Sequence, residues 1–353
     1  MKGVRLSHRA DLKGVPIIDV HTHPPAQIGD AFSCSQLDQE LKLRISAMDA
    51  LNVQKSVLLC MGWETKEVPN LSHARSEQAA FYFLKAAPER FVVFTTVDFG
   101  QMDYTDFTVK AVGHLEDTVR AGARGLKFEL GKPAMRWMPM DDPRLDPVYE
   151  KAGELGIPIM YHSGDPEEFF QPENRFNFWL SVNPIPVEMR YWKNRDTVPS
   201  FEQLYRERDN MLRKHPNTTF IFPHMGHLER HLALLADMLE RYPNVYVDSS
   251  WALANGARSP NDFNVFLTHY SDRIMFGSDG GIEGPESKDG WVHLFQRDFE
   301  TLESDRHDLD IWSKLPEWRV HGLKLSKDVL EAIYYKNTEK LLARSVSSSV
   351  TPC

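Results

Sequence analysis

The sequence predicts an α/β fold, a (β/α)8 TIM barrel with long insertions after the fifth and eighth strands. Three observations carry that prediction. Eight short β-rich runs bounded by turn residues recur along the chain, and amphipathic stretches of helical period lie between them. The starts of successive runs are separated by 40, 35, 34, 33, 61, 26 and 29 residues, about one βα unit each with one long gap.

The first run, Pro16 to His23, leads through a helical stretch, Gln36 to Leu51, into the second, Ser56 to Met61. Ser72 to Ala87 then precedes the third run, Phe91 to Asp98, and Thr108 to Ala121 precedes the fourth, Gly125 to Leu130. Asp-Asp-Pro at 141–143 opens a helix over Leu145 to Leu155 that Gly156 stops, before the fifth run, Pro158 to His162. The long gap follows, an excursion from Gly164 to Pro199 rich in Phe, Trp, Arg, Asn and Pro. A helix over Phe201 to Lys214 returns the chain to the sixth run, Thr219 to His224, and Leu228 to Arg241 leads to the seventh, Val245 to Ser250. The eighth run, Ile274 to Asp279, opens a second long connection from Gly280 to about Leu325. Both excursions leave the carboxyl ends of strands, the side on which barrel active sites lie. The expected organisation is a single barrel domain over 1–344 and a disordered Ser-rich tail over 345–353.

Composition narrows the function classes. The chain has 353 residues, 42% hydrophobic and 26% charged, with a net charge of −9 and no long basic run, so it lacks the electrostatic footprint of a nucleic-acid binder. Its longest apolar stretches, such as Ser56 to Trp63, fall far short of the ~18 to 20 residues needed to span a bilayer. Cys34, Cys60 and Cys353 are odd in number and show no CxxC spacing, which argues against a disulfide framework or a thiolate zinc site. A cytoplasmic enzyme with a small-molecule substrate is expected, and the aromatic-rich excursions suit a homodimer contact.

The first run ends Ile-Ile-Asp-Val-His-Thr-His, and strand alternation puts His21 and His23 on one face with Ile18, Val20 and Thr22 on the other. The apolar set belongs against the helices, so the two imidazoles point into the barrel mouth. The fifth run stops on His162, the sixth on His224 and the eighth on Asp279, which gathers five metal-capable groups at one rim. Imidazoles and a carboxylate suit a zinc-like or manganese-like ion that keeps an open position for water.

In these residues the sequence resembles the amidohydrolase superfamily, and within it the amidohydrolase-related (amidohydrolase 2) family, the branch that also holds aminocarboxymuconate-semialdehyde decarboxylase and resorcylate-type decarboxylases. The matching elements are His21-Thr-His23, His162, His224-Met-Gly226 and Gly277-Ser-Asp279, spread from about Pro16 to Arg344. The resemblance implies that His21, His23, His162 and Asp279 bind one divalent metal and that His224 is a catalytic acid/base beside it. His227 stands where a second glycine is common, which leaves open whether His224 or His227 reaches the site; strand register favours His224.

The fourth run sets Leu126, Phe128 and Leu130 toward the helices and Lys127 and Glu129 toward the interior. Lys127 is either half of an internal ion pair, for instance with Asp19, or a bridge to a second metal, as in other branches of the superfamily. Glu129, nearer the rim, is a candidate for contacting substrate or an additional metal. Softer candidates are Trp63 and Glu64 after the second run, Asp248 and Ser250 on the seventh, and Arg175, Arg190, Trp179 and Trp192 in the excursion after the fifth, where arginine and aromatics can grip a carboxylated apolar substrate. The expected function is metal-dependent hydrolysis of a small amide, ester or lactone through a metal-activated water, with zinc the first choice of ion. Non-oxidative decarboxylation of an aromatic or unsaturated acid on the same site is the alternative.

Overall fold

The computed structural model describes residues 10–25, 33–62, 73–136, 138–182, 184–281, 287–309 and 318–347. Eight strands form one parallel sheet in sequential order: β1 (Ile17–Thr22), β2 (Val53–Leu59), β3 (Phe91–Thr95), β4 (Gly125–Phe128), β5 (Ile159–Tyr161), β6 (Phe220–Phe222), β7 (Val245–Asp248) and β8 (Ile274–Met275). The sheet closes on itself where the Val20 amide donates to Phe276 O at 2.9 Å, Asp279 N to His21 O at 2.8 Å and His23 N to Gly280 O at 2.7 Å. The barrel predicted from run spacing is therefore present, with helices α1 (Cys34–Leu51), α2 (His73–Ala86), α3 (Phe107–Arg120) and α4 (Asp146–Glu154) following the first four strands. Further barrel helices span Phe201–Lys214, Leu232–Arg241 and Pro260–His269.

Local chemistry explains the boundaries. Ser33 and Gln36 make a reciprocal capping box that starts α1, and Asn52 ends it in the left-handed region at φ 57°. Ser200 caps the helix at Phe201–Lys214 through the Gln203 amide. Gly156 takes φ 66° after α4, a conformation open to glycine at little cost. Most strands stop short of their sequence-predicted ends, so His162, His224 and Asp279 stand in the turns just beyond β5, β6 and β8.

Two apolar layers hold the barrel. Leu58, Val93, Leu126, Phe128, Ile159, Phe220, Val247 and Phe276 face the helices, whereas Val20, Val57, Leu59, Phe94, Met160, Ile221, Tyr246 and Met275 fill the interior. Leu341, from the helix Asn337–Ser347, joins the inner set. Val20 is thus turned inward and not against the helices, a correction to strict alternation. The cause is a bulge: three steps along β1, from Asp19 to Thr22, match two along β2, from Ser56 to Leu58, so facing parity changes within β1.

The excursion after β5 carries short helical turns at Glu167–Phe170, Trp179–Val182, Val187–Met189 and Tyr191–Lys193 around a small core of Phe169, Ile185 and Tyr191. The connection after β8 contains a regular helix, Lys288–Glu303. Ser345–Ser347 continue the last helix, so the expected tail begins no earlier than residue 348; residues 348–353 lie outside the described set. No helix among the described residues is long and apolar enough to cross a membrane.

Candidate metal centre

The bulge in β1 sets the first half of the site. Asp19 accepts hydrogen bonds from His21 N at 3.0 Å, Ser278 N at 3.0 Å and Ser278 Oγ at 2.6 Å, tying β1 to the turn after β8. Burial pushes Asp19 up to about 7 even though these donors favour its charge. Asp19 is therefore not the ion-pair partner of Lys127 that the sequence offers as an alternative; its donors come from the β1–β8 seam.

His21 and His23 converge on one carboxylate oxygen. His21 Nε2 stands 3.0 Å and His23 Nε2 3.1 Å from Asp279 Oδ1. The opposite nitrogens are committed: His21 Nδ1 lies 2.8 Å from Asp248 Oδ2, and His23 Nδ1 lies 3.2 Å from Leu59 O. Burial opposes a charge on His21, but Asp279 and Asp248 outweigh it and push His21 up to about 9. Burial alone would raise Asp279, yet His21 and His23 hold it well below the usual carboxylate range. Asp248 receives His224 N at 2.9 Å and Ser250 N at 3.0 Å on its other oxygen, which ties the His21 ring to the backbone of the turns after β6 and β7.

The second half rests on the turn after β6. His224, Met225, Gly226 and His227 adopt φ values of 55°, 52°, 63° and 55°, a left-handed turn in which three residues carry a Cβ. Such residues cost about 1–2 kcal/mol each in this region, so tertiary packing must hold the turn. Its result is that His224 and His227 both face the site, ring centroids 4.9 Å apart, with His162 at 4.9 Å from His224 and 5.2 Å from His227. The choice between His224 and His227 is thereby replaced by both. His224 Nδ1 sits 3.0 Å from Ser250 O, which makes that nitrogen the donor and leaves Nε2 facing the mouth. Burial is the main cause that lowers His224 to about 4 and holds His162 and His227 well below the usual imidazole range, so all three are neutral at pH 7.

His162 thus stands on the His224–His227 side of the mouth, its Nε2 3.3 Å from Asp165 Oδ1, while the other carboxylate oxygen, Oδ2, accepts from Tyr191 OH at 2.5 Å. Asp165 escaped the sequence reading, although its place three residues after His162 was the available signal. Burial pushes it up to about 6.

Leu126, Phe128 and Leu130 pack with the helices and Lys127 is fully buried inside, as the fourth run predicts. Its Nζ lies 3.7 Å from Glu129 Oε1 and has no hydrogen-bond acceptor, while Lys132 Nζ approaches the same oxygen at 3.8 Å. Glu129 Oε2 and His227 Nε2 are also buried without hydrogen-bond partners. Buried polar atoms are normally satisfied, so these orphans mark space for a bound group. The donor set itself fits a divalent ion: imidazole nitrogens and a carboxylate oxygen, with Asp248 and the Leu59 carbonyl orienting the rings from behind.

The softer candidates are dispersed. Arg190 pairs with Glu173 at 2.9 Å, Arg175 is exposed with its guanidinium 5.5 Å above Phe176, and Trp192 carries Lys193 at 5.0 Å over its ring. Trp179 comes nearer the mouth, its ring 5.9 Å from Trp251, the residue after Ser250. Trp63 and Glu64 lie outside the described residues.

A closed parallel barrel with these groups on its carboxyl-terminal rim belongs to the class of metal-dependent enzymes of small molecules. A family model described as amidohydrolase matches residues 18–344, and the chain belongs to that amidohydrolase family. Among solved structures, 4-oxalomesaconate hydratase from Rhodopseudomonas palustris is similar with a TM-score of 0.59 at 16% identity, covering 94% of this chain and 97% of its own. An uncharacterized TIM-barrel protein from Bordetella bronchiseptica superposes with a TM-score of 0.57 at 18% identity over 94% of this chain and 99% of its own. 5-Carboxyvanillate decarboxylase from Novosphingobium aromaticivorans, solved with manganese, gives a TM-score of 0.52 at 13% identity over 94% and 97%. At these identities the likeness establishes the shared fold. No curated protein sequence matches the chain.

Proposed function

We propose that the chain is a metal-dependent hydrolase of a small amide, ester or lactone, built on one divalent ion at His21, His23 and Asp279 with His162 as a further candidate ligand. Zinc is the favoured ion and manganese the alternative. The observation that carries this reading is the single Asp279 oxygen faced by two imidazole nitrogens at 3.0 and 3.1 Å, on a carboxylate that remains partly open to the mouth. A divalent ion bound there supplies Lewis acidity and brings the pKa of water toward ~7. Asp279, kept ionised by its imidazole neighbours, and His224, whose Nε2 is left free by the Ser250 carbonyl, then divide the proton transfers between attacking water and leaving atom.

A second reading, non-oxidative decarboxylation, has its own support in Lys127. A fully buried ammonium without an acceptor, next to Lys132, suits an anionic carboxylate on the substrate, and several solved structures of this fold are decarboxylases. The two reactions separate on product analysis. Oxygen-18 from water entering the product marks hydrolysis; carbon dioxide release with solvent deuterium on carbon marks decarboxylation. Turnover that persists unchanged after exhaustive chelation removes both.

A further inference from the structure

We infer that Arg208, on the helix Phe201–Lys214, is a positioning residue for His224: its guanidinium clamps the left-handed turn after β6 to the turn after β5 and so sets where His224 presents Nε2. The acid/base duty of His224 is taken from the proposed function; the clamp itself is read from geometry.

Two arginines are buried among the described residues, Arg44 at 4% and Arg208 at 3% exposure. Arg44 has a carboxylate beside it, Glu40, 2.7 Å from its Nε. Arg208 makes no ion pair among the described residues, and burial lowers its pKa only to about 10, which leaves it charged at pH 7. A buried charge without a counter-charge is costly and persists only where other contacts offset it. Those contacts gather beside the site. Nη1 donates to Gly226 O at 2.8 Å, in the middle of the turn from His224 to His227, and to Ser163 Oγ at 3.0 Å, on the residue after His162. The guanidinium carbon also stands 5.4 Å from the ring of Phe222, two residues before His224, and 5.0 Å from that of Tyr205.

Gly226 fits the same role. Its φ of 63° does not by itself call for glycine, since His224, Met225 and His227 hold 55°, 52° and 55° with side chains. A Cβ at position 226, however, would stand 2.7 Å from Arg208 Nη1. The turn is thus held at two points: Asp248 Oδ1 takes the His224 amide at 2.9 Å from β7, and Arg208 takes the Gly226 carbonyl from the helix layer. Without the outer hold the turn relaxes toward negative φ and carries the His224 ring with it. A lysine keeps the charge but loses the planar nitrogen that reaches both acceptors and the flat face against Phe222.

The test reads ring geometry and rate separately on the full-length, zinc-loaded chain. Nitrogen-15 spectra of ring-labelled histidine give the tautomer, the His224 signals being assigned by their loss in His224→Asn, and p-nitrophenyl acetate is the probe for rate. In wild type His224 is expected as a single tautomer protonated on Nδ1, held by Ser250 O. Arg208→Met is expected to shift that signature and mix the tautomers with bound zinc unchanged, Arg208→Lys to be intermediate, and methylguanidinium to restore the signature in Arg208→Ala. Ester turnover should follow, with kcat of Arg208→Met down about ten- to a hundredfold and KM changed by less than about twofold. An Arg208→Met chain that is less stable but keeps the wild-type His224 signature has lost only a structural arginine and overturns the clamp. Should the Arg208 variants not fold, Ser163→Ala, which removes one anchor of the clamp, decides: a shifted signature supports it and an unchanged one overturns it. A shifted signature with an unchanged rate, or in a chain whose wild type leaves the ester intact, upholds the clamp and counts against the hydrolytic duty given to His224.

Discussion

The two walls of the mouth are built by different means. Between β1 and β8 the polar groups are carried by strand register and bound in a network: Asp19 on Ser278 and the His21 amide, His21 on Asp248, and His21 and His23 on Asp279. Between β5 and β6 the imidazoles are brought together by a strained left-handed turn and a long excursion that delivers Asp165 and Tyr191. One wall is carboxylate-rich and anchored to paired backbone; the other is imidazole-rich, with the single carboxylate of Asp165 beside His162, and is held by its surroundings. The contrast teaches that donor chemistry and donor placement need not come from the same device; under the proposed function, metal retention rests on the first wall.

Substitutions across the two walls should therefore differ. The largest effect is expected from Asp279→Asn, which removes both the central carboxylate and a proton carrier: turnover should fall on the order of 10³-fold or more, with loss of retained metal by elemental analysis. His224→Asn should lower kcat by roughly 10²–10⁴-fold while the first-wall ion stays bound, a split that makes it a proton carrier and not the anchor. Equal loss of metal in both variants would erase the distinction between the walls. Chelation should lower thermal stability, and zinc at a hundred times its dissociation constant should restore about 2.7 kcal/mol. Smaller effects are expected in the supporting structure. Gly226→Ala brings a Cβ to 2.7 Å from Arg208 Nη1 in an already left-handed residue, whereas Ser278→Ala leaves the Asp19 carboxylate short of one donor; each should cost about 1–3 kcal/mol in denaturant titration. Gly226→Ala should additionally displace His224 and His227 and depress kcat more than its stability cost explains, which Ser278→Ala should not do.

These differences also mark what the amino-acid sequence discloses. The barrel is legible because eight β-rich runs at near-regular spacing admit few other topologies, and the first wall is legible because its residues sit at strand ends. Val20 and the partner of Asp19 are not, because the bulge that reorients them is set by pairing with β2 and β8, far along the chain. The turn from His224 to His227 is hidden for the opposite reason: local preference argues against positive φ at histidine and methionine, so only the assembled neighbourhood can impose it. Alternation puts Glu129 and Lys127 in the interior, where they lie, but their mutual approach at 3.7 Å depends on where the mouth opens.

The helix Asn337–Ser347 places Leu341 in the same buried cluster as Val20, Val57, Ile221 and Met275, so the inner apolar set is completed by residues far apart in synthesis order. A nascent chain whose translation has not yet passed Leu341 still exposes that inner surface to water. Completion of the fold accordingly waits on synthesis of that helix, and a ribosome-bound chain stalled before it should remain sensitive to protease and to hydrophobic-binding chaperones.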